Sequence, residues 1–264
     1  MVMLGLGAGL DVTARQRQQG SASPDWCQNE SWGDDRQGFC EVREYVLPAT
    51  GAMMSVDASP NGGITVEGSA RPDIVVRAKV TGTASSVEQA RAIAARVQII
   101  ATADRVTADG PENLGRREGW YVSFRLSVPV QTPVSLKSTN GGIGIENLNS
   151  RVEFRTVNGG VTLKRMGGDV EGRTSNGGVT VDLDGATWQG AGLNVETSNG
   201  GVRMSIPAHY NAHLETGTVN GSINIDFPVT MQGRIGRSVS TDLGSGGPTL
   251  RVKTSNGGVK ITTK

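Results

Sequence analysis

The sequence predicts an all-β protein: a β-solenoid, parallel β-helix-like, with coils of 18–23 residues, plus an N-terminal β-rich cap that contains one short helix. Three observations predict this fold class. An Asn-Gly-Gly turn recurs along the chain, apolar and polar residues alternate on both sides of each turn, and glycine is abundant while aromatic residues make up only 4%. Such a composition suits a thin core of small and β-branched side chains better than a broad globular core.

The repeated turn sets the length of one coil. It occurs six times as Asn-Gly-Gly and once as Asn-Gly-Ser, at Asn61, Asn140, Asn158, Asn176, Asn199, Asn220 and Asn256. From Asn140 onward the gaps are 18, 18, 23, 21 and 36 residues. The last gap is twice 18, as expected if one coil has lost its motif, and residues 221–255 could contain one coil or two. Asn-Gly is also a common hairpin signal, so a set of independent hairpins is the alternative.

The residues before each turn predict which side chains point inward. Side chains alternate between the two faces of a strand, and counting back in twos from Asn158 meets Thr156, Phe154 and Val152. We therefore expect the Asn and Thr columns to lie in phase with the core and to form hydrogen-bonded ladders between stacked coils. The Gly-Gly pair is expected to supply positive φ at the corner. The predicted ladder residues are Asn140, Asn158, Asn176, Asn199, Asn220, Asn256, Thr156, Thr174, Thr197 and Thr254.

The first half of the chain departs from this repeat. Strand-like runs occur near residues 45–47, 64–67, 74–80, 97–101 and 120–128. One helix is predicted from about Ser86 to Val97, because Ser86 and Gln89 form a capping box ahead of an apolar stripe. A solenoid needs an atypical unit over the open end of its core, and this region is the candidate. Asn61 follows Pro60 and belongs either to the first coil or to a hairpin.

The position of the repeats and of the helix divides the chain into three predicted regions. Residues 1–24 are interpreted as a leader or signal-peptide remnant, residues 25–130 as the cap region, and residues 131–264 as the solenoid repeats. Residues 1–10 are apolar and have the length of the hydrophobic part of a signal peptide, although no basic segment precedes them. A disordered leader is the alternative.

The two cysteines bear on the compartment. Cys27 and Cys40 do not have the spacing of a metal site, so a disulfide that closes a short loop is the simplest interpretation. A persistent disulfide indicates the periplasm or the exterior. Two unrelated thiols in a reducing compartment are the alternative.

The charge balance suggests no anionic partner. The chain has 26 basic and 25 acidic residues, for a formal net charge of +1. No global field attracts nucleic acid or anionic lipid, so neither is expected as a partner. No apolar run approaches the roughly 20 residues of a membrane-spanning helix, so no transmembrane helix is expected in this chain.

The sequence offers weak candidates for a metal site. His209 and His213 are its two histidines, and residues four apart on a strand lie about 13 Å apart, too far to share one metal. The run Gly-Gly-Ile-Gly-Ile-Glu after the second turn is similar to one copy of a calcium-binding nonapeptide. Later coils have Lys164, Asp182 and Ser205 at the matching position, so no column of carboxylate ligands is predicted.

An enzyme on this fold would need acidic groups that converge on one outer face. The acids available for that role are scattered on outward strand positions or turns: Asp182, Asp184, Glu196, Glu215 and Asp226. We therefore predict no catalytic, cofactor-binding or metal-binding residue, and no cofactor.

The repeated [Thr/Ser]-x-Asn-Gly-Gly-φ-x-φ units, together with the strand–helix–strand block Ser85–Ala101, resemble the bacterial putative adhesin family with a DUF4097-type domain of unknown function. The resemblance covers about residues 41–264. It implies export and a β-helix-like fold, and it brings no catalytic residues.

The predicted function is that of a non-catalytic exported protein in the envelope, at the cell surface, in the periplasm or secreted, which presents a rigid β surface to a glycan or protein ligand. One alternative is a structural or stress-response envelope scaffold that self-associates, and a less favoured one is a carbohydrate-active β-helix enzyme. Lys260 and Lys264 on the last strand would discourage edge pairing, which favours a monomer.

Overall fold

The computed structural model describes residues 15–16, 26–28, 32, 35–227 and 237–264. The interpretation of residues 1–24 as a leader therefore lies outside the described residues, except at Arg15 and Gln16. In chain order the elements are β1 (Arg15–Gln16), β2 (Gln37–Pro48), β3 (Met54–Asp57), β4 (Ile64–Ser69), β5 (Asp73–Ala84), α1 (Val87–Arg96), β6 (Gln98–Ala101), β7 (Arg105–Asp109), β8 (Gly119–Pro129), β9 (Val134–Lys137), β10 (Ile143–Glu146), β11 (Asn149–Asn158), β12 (Val161–Lys164), β13 (Gly167–Asn176), β14 (Val179–Asp182), β15 (Gly192–Asn199), β16 (Val202–Ile206), β17 (Ala212–Asn220), β18 (Ile223–Ile225), β19 (Ser238–Leu243), β20 (Thr249–Asn256) and β21 (Val259–Thr263).

Two sheets contain all of these strands. Sheet A has the order β1-β2-β5-β8-β4-β10-β12-β14-β16-β21-β18, and sheet B has the order β19-β17-β20-β15-β13-β11-β9-β3-β7-β6. Each turn joins a strand of sheet B to a strand of sheet A, and equivalent strands of neighbouring coils pair in parallel. The all-β, β-helix-like fold is therefore confirmed.

The core lies between the two sheets and is built from columns of equivalent residues. In sheet A the column Ile143, Val161, Val179, Val202 and Val259 is stacked in register and buried. Because strands in a sheet lie only about 4.8 Å apart, a small or β-branched side chain fills its level of the column completely. A thin core with few aromatic residues is the result.

The order of the last coils differs from their order in the sequence. β20 and β21 lie between the coil β15–β16 and the coil β17–β18, and β19 pairs antiparallel with β17 at the edge of sheet B. The described residues of the 36-residue gap, 221–227 and 237–255, contain no additional coil stacked in parallel, so the prediction of a coil without its motif is wrong for this part of the chain. The strand Leu250–Asn256 repeats the pattern of Leu193–Asn199 and stacks directly on it.

This order also contradicts the expectation that Lys260 and Lys264 protect an exposed edge strand. β21, which carries Lys260, is paired on both sides, with β16 and with β18, so it is not an edge strand. Lys264 instead forms an ion pair with Asp182, with 2.5 Å between Nζ and Oδ1.

The N-terminal region continues the same two sheets. β3 and β4 pair in parallel with β9 and β10, and Asn61 pairs with Asn140, so Asn61 belongs to the first coil. β2, β5 and β8 extend sheet A by antiparallel pairing. Helix α1 begins one residue after Ser86, whose side chain accepts a hydrogen bond from the backbone N–H of Gln89 at 3.3 Å. The predicted helix is thus correct to within one residue at each end, whereas β3 and β7 were not predicted.

Candidate functional site

The asparagines of the turns form a continuous hydrogen-bonded column at one corner of the stack. Each Nδ2 group donates to the Oδ1 of the neighbouring coil: Asn140 to Asn61 (2.8 Å), Asn158 to Asn140 (2.7 Å), Asn176 to Asn158 (2.9 Å), Asn199 to Asn176 (2.9 Å), Asn256 to Asn199 (2.8 Å) and Asn220 to Asn256 (2.7 Å). These side chains are exposed, so the expectation that they share the inward phase is wrong. From Asn158 onward each of these asparagines is the last residue of its strand, and its side chain lies at the exposed corner rather than in the core.

The threonines two residues earlier are buried, and they bond differently from the prediction. Their hydroxyls do not pair with one another; each Oγ1 donates to the carbonyl oxygen of the first turn glycine in an adjacent coil. The bonds run from Thr156 to Gly141 (2.9 Å), Thr174 to Gly159 (2.8 Å), Thr197 to Gly177 (2.7 Å), Thr254 to Gly200 (2.8 Å) and Thr218 to Gly257 (2.8 Å). Each buried threonine hydroxyl thereby gains a hydrogen-bond partner, and a carbonyl oxygen of the turn is satisfied.

The first glycine of each turn is required by close approach rather than by backbone angle. None of the turn glycines has φ in the left-handed region, so the expected positive φ is wrong. A Cβ placed on Gly159 would lie 2.1 Å from the carbonyl oxygen of Gly141 in the preceding coil, and the other first glycines are equally crowded. The stack can reach its spacing at this corner only because these residues have no side chain.

The outer faces of both sheets carry polar residues in rows that cross the coils. One row on sheet B is Lys137, Arg155, Arg173, Glu196 and Lys253, and one row on sheet A is Thr65, Gly144, Thr162, Thr180, Arg203 and Lys260. The coil stack fixes the spacing along each row at about 4.8 Å. These rows make the outer faces of both sheets regular polar surfaces.

An ionic cluster lies on the outer face of sheet B at the last coil. Glu215 accepts a hydrogen bond from Nε of Arg251 at 2.7 Å, and Nζ of Lys253 lies 3.8 Å away. The hydrogen bond from Arg251 holds the pKa of Glu215 below its usual value. In the same cluster, Nδ1 of His213 lies 2.6 Å from Oδ1 of Asp242 on β19.

The structure separates the residues that were considered for metal or acid chemistry. His209 lies in the turn before β17 with φ of 62°, whereas His213 lies within β17. Asp182 and Asp226 lie on the sheet A side, where Asp226 accepts a hydrogen bond from the backbone of Thr263 at 3.0 Å. Among the described residues, no group of three or more His, Cys, Asp or Glu side chains could hold a metal ion.

Cys27 and Cys40 form a disulfide in the structure, with 5.7 Å between their Cα atoms. Cys40 lies in β2, so the bond attaches the preceding segment to sheet A. The indole of Trp26 then lies over the outer face of that sheet, where the guanidinium carbon of Arg125 is 4.0 Å and Nζ of Lys79 is 5.6 Å from the ring centroid. Sequence reasoning missed this aromatic group, because nothing in its local sequence indicates which face it covers.

Within the described part of the chain, no helix is long and apolar enough to cross a membrane.

Two stacked sheets of parallel coils with an asparagine column at one corner define a β-solenoid of the β-helix-like class. Within that class, the chain belongs to the Toastrack DUF4097 family, whose model matches residues 94–262. The resemblance drawn from the repeated turns is thereby confirmed.

Two solved structures are similar to this chain at low sequence identity. A putative cell adhesion protein from Clostridium sporogenes is 12% identical, with a TM-score of 0.50, and the match covers 86% of this chain and 100% of that one. A putative adhesin from Bacteroides fragilis is 11% identical, with a TM-score of 0.37 and coverage of 86% and 97%. No curated protein matches the sequence. At this identity the first likeness supports the fold, and function has to be argued from the surface.

Proposed function

We propose that the protein is a non-catalytic exported protein that binds a partner at the cell envelope or surface through the outer faces of its rigid solenoid. The observation that carries this proposal is the in-register rows of polar side chains, which the coil stack holds at fixed spacing on both sheets. A surface that is already ordered loses little conformational entropy on binding, so weak polar contacts can add up to useful affinity.

The bonding at the turn corner supports the rigidity of these faces. Three sets of bonds join each coil to the next: the backbone ladder, the asparagine column and the threonine-to-glycine bonds. Solenoid stability is a sum of such nearest-neighbour terms, and the coil at Asn140 has the equivalent bond from Ser138 to Gly62.

Export is supported by the disulfide between Cys27 and Cys40, because disulfides form and persist in oxidising compartments. The non-catalytic character is supported by the arrangement of the acids. Asp182 and Glu215 lie on opposite sheets, and each is ion-paired to a basic side chain. Hydrolysis of a glycosidic bond needs two carboxyl groups on the two sides of one bond, about 5–10 Å apart.

One observation favours a second function, a scaffold that self-associates. β18 is the last strand of sheet A in the described part of the chain, and its Ile223 and Ile225 are only partly buried. A partly exposed strand at the end of a sheet is a surface on which a second copy could pair.

Binding of the labelled, oxidised protein to intact bacterial cells, measured beside its mass in solution, separates the two functions. The binding proposal predicts saturable attachment to cells by a protein whose mass stays that of one chain. The variant Gly159→Val, which cannot form the corner, is the control that should lose attachment. Mass that rises with concentration, without attachment to cells, would contradict the proposal and support the scaffold.

A further inference from the structure

We infer that the outer face of sheet A carries a binding groove for an acidic saccharide, with Trp26 and Arg125 at one end and Thr162 at the other. This inference rests on the proposed surface-binding function and names the site and the chemical class of the ligand. The groove has a volume of about 350 Å³, within the range of small-ligand sites, and it crosses β8, β4, β10 and β12.

The groove exists because one residue in a row of side chains is a glycine. Gly144 lies in register between Thr65 and Thr162, so its missing side chain leaves a notch between two hydroxyl-bearing walls. A glycine within a strand weakens it and commonly marks a place where another group approaches closely.

No other constraint explains this glycine. A Cβ on Gly144 would meet only the side chain of Thr65, at 3.8 Å, and its φ is not in the left-handed region. Every other glycine in a described strand either has φ in that region or would place a Cβ within 3.2 Å of a neighbouring atom. Gly144 therefore serves no need of the fold, and access to the groove is what its small size provides.

Arg125 supplies the charge of the site. It is the one charged residue that lines the groove, and it forms no ion pair within the described ranges 15–16, 26–28, 32, 35–227 and 237–264. Its guanidinium stacks on the indole of Trp26, with 4.0 Å between Cζ and the ring centroid. A stacked guanidinium keeps the N–H groups at its edge free, and their geometry matches a carboxylate.

The remaining lining groups favour a saccharide over a peptide or an apolar ligand. Ile64, Phe124 and Ile143 contribute only backbone to the groove, because their side chains are buried in the core. The strands below the groove are all paired on both sides, so no free edge can accept a peptide as an added strand. An indole, a guanidinium and hydroxyl groups on a flat floor complement a ring with a C–H face, hydroxyl groups and a carboxylate.

The test uses trigalacturonic acid as the probe and its methyl ester as the matched neutral probe. The chain has four tryptophans, so 5-fluorotryptophan labelling gives a small set of fluorine resonances, and Trp26→Phe assigns the one at the site. Titration of the folded, oxidised protein should shift the Trp26 resonance with the acid, and the ester should bind about tenfold more weakly. Arg125→Gln should bring the affinity for the acid down to that for the ester.

Gly144→Thr tests the notch itself. The added side chain restores the threonine row without strain, so the protein should stay folded with a melting temperature equal to or above that of the parent, while affinity for both probes falls at least about tenfold. Thr180→Val is the matched control, since Thr180 occupies the same row one coil beyond the groove and its variant should bind as the parent does. An unshifted Trp26 resonance, equal binding of acid and ester, or full binding by Gly144→Thr would each overturn the inference. If the protein fails these tests but still attaches to cells, the groove is wrong and the proposed surface function stands.

Discussion

The two glycines of each turn have different neighbours, although the sequence repeats them as a pair. In the turn after Asn158, a Cβ on Gly159 would lie 2.1 Å from a backbone oxygen, whereas a Cβ on Gly160 would meet the Gly178 oxygen at 3.4 Å. The first contact is impossible without moving the neighbouring coil, and the second is an ordinary van der Waals distance. In this turn, therefore, the first glycine is obligatory and the second tolerates a methyl group.

We expect Gly159→Ala to lower the free energy of unfolding by about 2 kcal/mol or more, because the coil spacing must widen to admit the methyl group. Gly160→Ala is the matched control and should stay within about 0.5 kcal/mol of the parent. Denaturant unfolding followed by circular dichroism measures both. Equal effects of the two variants would contradict the close-approach explanation.

The asparagine and threonine columns are also expected to contribute differently to the free energy of unfolding. Asn176 is exposed and bonds to Asn158 and Asn199, whereas Thr174 is 2% exposed and its hydroxyl donates to the Gly159 carbonyl. We expect Thr174→Val to cost about 1–3 kcal/mol, because it removes the bond from a buried side chain to the turn carbonyl. Asn176→Ala should cost about 0.5–1.5 kcal/mol, because water replaces the lost partners. The same unfolding assay tests the ranking, and a larger effect at Asn176 would reverse it.

At the scale of elements, the ionic cluster joins β17 to β20 where the last coil meets the inserted one. Arg251 on β20 donates to Glu215 on β17, and this bond holds the pKa of Glu215 below its ordinary value of 4.5. A carboxyl group whose pKa is depressed by folding stabilises the folded state above its unfolded pKa. That contribution is lost as the pH falls through the folded value.

The melting temperature of Glu215→Gln should therefore fall less steeply than that of the parent as the pH is lowered below about 4.5. The difference in melting temperature between parent and variant should be smaller in strong acid than at neutral pH. Glu171→Gln, at an exposed position of β13 in the same sheet, is the control. Thermal unfolding at a series of pH values checks this expectation. Parallel acid profiles for the parent and Glu215→Gln would show that the bond contributes nothing.

The elements differ in how far the sequence predicts them. The capping box at Ser86 and the alternation around the turns predict the helix and the inward threonines, since both follow from local periodicity. The exposed direction of Asn158 and the bonding of Thr156 to a glycine carbonyl depend on how one coil sits against the next, which periodicity along the chain does not contain. Trp26 was missed for the same reason, because its position depends on the disulfide to β2.

At the scale of the whole molecule, the order of the coils is the feature least accessible from the sequence. Repeat spacing measures distance along the chain, and it predicts stacking in chain order by default. The signal that could have corrected it is similarity between coils: Leu193-Asn-Val-Glu-Thr-Ser-Asn199 and Leu250-Arg-Val-Lys-Thr-Ser-Asn256 are nearly the same segment. The coil at Asn220 carries the variant turn and takes the terminal position.

The last two strands, β20 and β21, are inserted into the stack. They lie between two coils, β15–β16 and β17–β18, that precede them in the sequence. The rows of side chains on this surface therefore include residues that are far apart in the sequence, such as Arg203 beside Lys260. The proposed binding faces therefore depend on this order as well as on the repeat.

Engineered disulfides at the exposed asparagine column test that order most directly. Adjacent coils place equivalent Cα atoms about 5 Å apart, within reach of a disulfide, whereas coils two steps apart exceed the limit of about 7 Å. We expect Asn199→Cys with Asn256→Cys, and Asn256→Cys with Asn220→Cys, each to form a cross-link in the folded protein, whereas Asn199→Cys with Asn220→Cys should not. A cross-link between positions 199 and 220, with none between 199 and 256, would show that the coils stack in chain order and would contradict the structure described above.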